Sequence, residues 1–113
     1  MSKVDLMLTT SDPSPVFAAL GDPTRLALIA RLSDGEPRSI SALSADSAIT
    51  RQAVTKHLRV LEGAGLLRGQ RVGRESRFAF RPERVMEAKA YLEAVSSQWD
   101  ETLERLRAFV EEE

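Results

Sequence analysis

Apolar residues recur along this chain in short helical steps, broken by Gly, Pro and Ser/Asp pairs. The pattern predicts about five helices, with a two-stranded hairpin between the fourth and the fifth. Residues 1–12 show no sustained period beyond a turn of helix at residues 4–8 and are expected to form a flexible N-terminal arm; residues 13–113 read as one domain. Ser14 is placed to cap a first helix with Pro15 at its first position, carrying Val16, Phe17 and Leu20 and ending at Gly21. Asp22-Pro23 repeats the start signal. Leu26, Leu28, Ile29 and Leu32 give the second helix a wide apolar stripe, stopped at Ser33-Asp34-Gly35. Ser39 can cap a short third helix bearing Ile40 and Leu43, and Asp46-Ser47-Ala48 reads as a turn.

Thr50 caps the fourth helix, over about residues 50–64, where Val54, Leu58 and Leu61 stand at i, i+4 and i+7. Arg51, Gln52, Thr55, Lys56 and Arg59 fall on its other side. Gly63 and Gly65 end it, and two strand-like runs follow within residues 66–80 around Gly73-Arg74, a hairpin signal. Pro82 opens the last helix, on which Val85, Ala88, Leu92, Val95, Trp99, Leu106 and Phe109 alternate steps of three and four, broadened by Leu103 and Val110. Only Thr102 is polar in that seam. Such a stripe exceeds what a domain of 113 residues can cover internally, so a partner is expected to take it; the alternative is that it folds back on the chain's own core. The expected order is therefore α1-α2-α3-α4-β1-β2-α5, mainly α with a small two-stranded wing: a winged helix-turn-helix.

Charge sharpens this picture. Residues 51–81 hold eight basic against two acidic side chains, a net +6, although the whole chain is −1. A basic pole on a near-neutral protein points to a polyanion, and its position on one helix face and the following hairpin points to nucleic acid. The fourth helix fits the major groove, with Arg51, Gln52, Thr55 and Lys56 of the residue types that read base edges. Thr50 stands at the start of that helix, and Arg59, Arg71, Arg74 and Arg77 are better suited to phosphates, which position without specifying sequence. His57, the sole histidine, sits at the edge of the apolar stripe, where packing or a phosphate contact suits it better than metal binding or catalysis.

There is no cysteine, and hence no disulfide or thiolate site, and no run near the ~20 apolar residues that cross a bilayer. Asp5 interrupts the only apolar run of the N-terminus, so no signal peptide is read there and a cytoplasmic location is expected. No histidine–carboxylate–nucleophile set, glycine-rich phosphate loop or metal-ligand spacing is present, which argues against an enzyme and against a bound cofactor.

Ala19-Leu20-Gly21-Asp22-Pro23-Thr24-Arg25, Ala53-Val54-Thr55-Lys56-His57-Leu58-Arg59-Val60-Leu61-Glu62, Ala64-Gly65-Leu66-Leu67 and Arg71-Val72-Gly73-Arg74 together resemble the ArsR/SmtB family of bacterial winged-helix repressors. The similarity spans about residues 15–110. Tyr91-Leu92, Trp99 and Leu103-Glu104-Arg105-Leu106 resemble the tail of one subgroup. The resemblance implies a homodimer on a pseudo-palindromic operator, nucleoid-associated when bound, joined through the first and last helices. In this sequence those interface positions are Val16, Phe17 and Leu20, with Leu92, Val95, Trp99, Leu103, Leu106, Phe109 and Val110. Many members sense metals through cysteines or late histidines. This chain has neither, so no metal is expected; an unidentified small-molecule effector, a partner protein or control by abundance are the open signals. A winged helix used only as a protein-interaction module is the rival reading, and the arginines concentrated on helix and hairpin together speak against it.

Overall fold

The computed structural model describes residues 12–45 and 47–112. The expected arm up to residue 11, its turn of helix and Asp46 of the expected Asp46-Ser47-Ala48 turn lie outside these. In chain order the elements are α1 (Ser14–Leu20), α2 (Pro23–Leu32), β1 (Arg38–Ser39), α3 (Ile40–Ala45), α4 (Arg51–Gly63), β2 (Leu67–Val72), β3 (Glu75–Phe80) and α5 (Pro82–Glu111). This is a winged helix-turn-helix, with α3 and α4 as the two helices of the motif.

The sheet has three strands, not two, in the order β1-β3-β2, all antiparallel. β1 pairs Arg38 with Phe78 and Ser39 with Arg77. A two-residue strand has no alternation to detect; only the presence of the β3 edge makes it one. Ser39 does two jobs there, because its Oγ also accepts the Ala42 N–H at 3.0 Å and so caps α3.

Helix starts follow the sequence with one correction. Asp22 accepts the Arg25 N–H and Thr50 the Ala53 N–H, capping α2 and α4. Ser14, in contrast, is the first residue of α1 and caps nothing; Asp12 Oδ1 accepts its N–H at 3.0 Å instead. The end of α4 is a Schellman turn, with Leu66 N–H on the Leu61 carbonyl and Gly65 N–H on that of Glu62. It needs a left-handed residue, and Gly65 supplies it at φ 81°.

The core is one cluster built from α1 to α4, the root of the wing and a single fully buried residue of α5, Ala88. Val54, Leu58 and Leu61 of α4 lie within it together with Leu66, Leu67 and Phe78, so the apolar side of α4 and the base of the hairpin are locked to each other. Arg31 of α2 donates to the Leu43 carbonyl at 3.0 Å and ties α2 to the end of α3. Two apolar residues are placed otherwise than expected. Leu26 is exposed, and Val16 is 1% exposed, inside the chain's own core rather than on a dimer surface. A helix of seven residues is too short for its period to tell which apolar side faces inward.

Candidate nucleic-acid interface

α4 turns its buried stripe to the core and leaves Arg51, Gln52, Lys56 and Arg59 exposed. The surrounding elements then divide these side chains by task. Arg51 Nη1 donates to Ser41 Oγ at 2.9 Å, so this arginine bridges the two helices of the motif. Thr50 Oγ1 is engaged as the cap, and Thr55 Oγ1 donates to the Arg51 carbonyl at 2.8 Å along its own helix. Gln52 and Lys56 form no side-chain hydrogen bond or ion pair with other described residues. They are the two expected readers presented most openly.

The wing splits the arginines between two faces. Gly69 and Phe78 face α4, and between the end of that helix and the wing lies a cleft of about 220 Å³ lined by Arg59, Glu62, Arg71, Ser76 and Phe78 among others. Arg77 lies on the opposite face of the sheet with Arg68 and Pro37, and its guanidinium is paired with Glu75 at 3.0 Å. Arg74 is exposed at the two-residue turn, where Gly73 takes φ 63° at the first position, as a II′ turn requires. Arg59 is exposed like its neighbours but not free: it pairs with Glu62 at 2.9 Å and lies over the Phe78 ring at 5.4 Å.

His57 occupies the flank of α4 that faces the start of α2. Its Nδ1 lies 3.2 Å from Arg25 Nη1 and 3.8 Å from Asp22 Oδ2. The Arg25 N–H and, after it, the charge of the Arg25 guanidinium hold the Asp22 carboxyl below the usual carboxylate range. Neither Arg25 nor Ser41 stood out as part of a site in the sequence. Their link to it is a contact across 32 residues in one case and 10 in the other, which no local period reports.

Comparison with known proteins agrees with this architecture. Residues 20–70 match the family described as a helix-turn-helix domain. The chain is 42% identical over 65 residues to the HTH-type transcriptional regulator YuzN of Bacillus subtilis, covering 52% of this chain and 71% of that protein. It is 39% identical over 61 residues to the HTH-type transcriptional regulator Rv2034 of Mycobacterium tuberculosis, covering 54% of this chain and 56% of that one. The solved structure of an ArsR-like transcriptional regulator from Rhodococcus sp. RHA1 superposes with a TM-score of 0.74 at 33% identity, over 86% of this chain and 91% of that chain. The chain belongs to the ArsR family of transcriptional regulators.

As an ArsR family member it is a DNA-binding regulator of transcription and not an enzyme. Among the described residues no group of three His, Cys, Asp or Glu side chains is placed to hold a metal, and no helix is long and apolar enough to cross a membrane. On α5 of this ArsR protein the expected interface residues fall into two sets. Near the body, Val95 is half-buried and Tyr91 meets Phe17 of α1 with ring centroids 6.1 Å apart, while Leu20 packs against the core. Beyond it, Leu92, Trp99, Leu103, Leu106, Phe109 and Val110 are 53% to 68% exposed along a single helix.

Proposed function

We propose that this protein is a homodimeric repressor that occupies an inverted-repeat operator. Each copy offers helix residues 50–64 to the major groove and wing residues 66–80 to the flanking backbone. Gln52 and Lys56 read base edges, with Arg51 and Thr55 beside them, and Arg71, Arg74 and Arg77 meet phosphates. Thr50 serves as the cap of the helix and Arg59 as a brace between helix and wing.

One observation carries the dimer. α5 is 30 residues long and buries only Ala88 fully in its own chain, while six large apolar residues at helical spacing are left in water. A second copy of the same stripe covers both at once, the economical solution for a two-fold assembly. Two recognition helices then stand about one DNA turn, ~34 Å, apart and read the two halves of a palindrome. A dimer seated on a repeat that overlaps a promoter represses by occlusion, in the cytoplasm and on the nucleoid. An effector, if one acts, is an unidentified small molecule.

Selection of genomic fragments by the purified protein, followed by footprinting, tests this reading. The expected result is a protected inverted repeat overlapping a promoter. Recovery of unrelated fragments with no shared repeat would favour the rival, a protein-interaction module.

A further inference from the structure

The sole histidine of the chain is held from outside its own helix. His57 Nδ1 lies 3.2 Å from Arg25 Nη1, and the same guanidinium donates through Nε to the Ala19 carbonyl in α1. The Arg25 backbone N–H donates in turn to Asp22 Oδ2 at 3.0 Å. The guanidinium is therefore clamped at the α1–α2 junction and aimed at α4. Arginine has donors only and keeps its charge in proteins, so Nδ1 is the acceptor in this pair and the ring proton is on Nε2. Asp22, at 3.8 Å, is too far to take a hydrogen bond from Nδ1. The other ring nitrogen has no partner among the described residues, yet it is not sealed from solvent. Lys56, the next residue, is exposed.

We propose that Arg25 is a positioning residue for DNA contact: by occupying Nδ1 of His57 it presents Nε2–H from the flank of α4 as a neutral donor to a backbone phosphate. The inference rests on α4 being the DNA-facing helix. It assigns a role to the Asp22-Pro23-Thr24-Arg25 segment, which lies outside the helix-turn-helix motif. A neutral donor also differs in kind from Lys56 or Arg74. It neutralises no phosphate charge and releases no counterion, so its contribution is the same at every salt concentration.

Phosphate contacts do not depend on sequence, so a random-sequence duplex is a sufficient probe. His57→Gln keeps a donor at the distance of Nε2, whereas the shorter amide of His57→Asn keeps an acceptor at the place of Nδ1 and reaches no donor to that of Nε2. Binding isotherms over a salt series are expected to place H57Q, which keeps the donor but loses the Nδ1 acceptor that Arg25 holds, between the wild type and H57N, and H57N about tenfold weaker than the wild type, with an unchanged slope of log affinity against log salt. Arg25→Lys cannot serve Ala19 and His57 at once. It should weaken binding in the wild type and add nothing to H57N, a coupling that general destabilisation would not produce. With a single imidazole in the chain, nitrogen NMR of the free protein above neutral pH reads the ring directly. The expected signature is an unprotonated, hydrogen-bonded Nδ1 whose resonance moves in R25K.

A protonated Nδ1, H57N binding as the wild type does while H57Q weakens, or a slope reduced by about 0.9 in H57N would each overturn the proposal. In the last case His57 would be acting as a cation. Failure of the wild type to bind the duplex would remove the DNA reading of α4 as well, whereas wild-type binding with an indifferent His57 removes this inference alone.

Discussion

The Glu62 carboxylate, near the end of α4, accepts the backbone N–H of Gly69 in β2 at 3.1 Å through one oxygen and the Arg59 guanidinium at 2.9 Å through the other. β2 is an outer strand of the sheet, so this N–H has no neighbouring strand to bond, and α4 supplies the acceptor. The wing is thereby registered against the helix it flanks. Gly69 permits the approach, since a Cβ there would fall on the Glu62 carboxylate and stand 3.2 Å from the Phe78 ring. Gly69→Ala is expected to lower stability by about 1–3 kcal/mol in urea unfolding, an overpacking cost. In an E62A background the same change should cost less, because the carboxylate it strikes is gone. Additive effects would mean that the two residues do not share the site.

Under the proposed function, the openly presented Gln52 reads bases and the exposed Arg74 at the wing tip meets phosphate, and the two roles can be separated. Gln52→Ala is expected to lose about 1–3 kcal/mol of discrimination between operator and random DNA, with little change on random DNA. Arg74→Ala should weaken both equally and reduce the salt slope by about 0.9. Titrations of both variants on both duplexes decide the matter, and equal effects of Gln52→Ala on the two would take base reading away from α4.

Trp99 is 61% exposed on α5, so its replacement costs the single chain little packing. In a dimer seam, an unpaired charge at this position costs about 3–5 kcal/mol. Trp99→Glu is accordingly expected to keep its helical circular dichroism and to sediment as a monomer at concentrations where the parent is dimeric. A dimer of unchanged affinity would move the interface off this part of the helix.

Asp34, in the loop between α2 and β1, offers a stability probe. The Arg38 side chain, and after it the Glu36 N–H, lowers its carboxyl from 3.8 to about 2. A pKa depressed in the folded state means a contribution that is complete above the unfolded value and disappears as pH falls through the folded one. Asp34→Asn should therefore be less stable than the parent at about pH 5, and the two should converge as the pH approaches 2. Asp12 and Asp22 are also lowered, so the difference between parent and variant, not the acid transition itself, is the quantity to compare. Asp34 is exposed and Arg38 only half-buried, so a small difference is expected.

Local order along the chain determined most of the architecture, because its causes are local. Thr50 and Asp22 cap the helices they precede, Gly65 and Gly73 turn where a positive φ is needed, and the Val54-Leu58-Leu61 period names the inner side of α4. Charge counting along 51–81 likewise located the basic pole without coordinates. Packing between distant segments decided the rest. β1 exists because β3 lies beside it; Val16 is core because the other helices pack against its side of α1; and Arg77 is on the far face of the sheet from Arg71 because side chains alternate along a strand whose register is set by pairing. Glu62 meets Gly69, and Arg25 meets His57, only after the chain has closed on itself. Residue order names the groups able to face DNA, but the partner that each one takes across the fold determines which are free to do so.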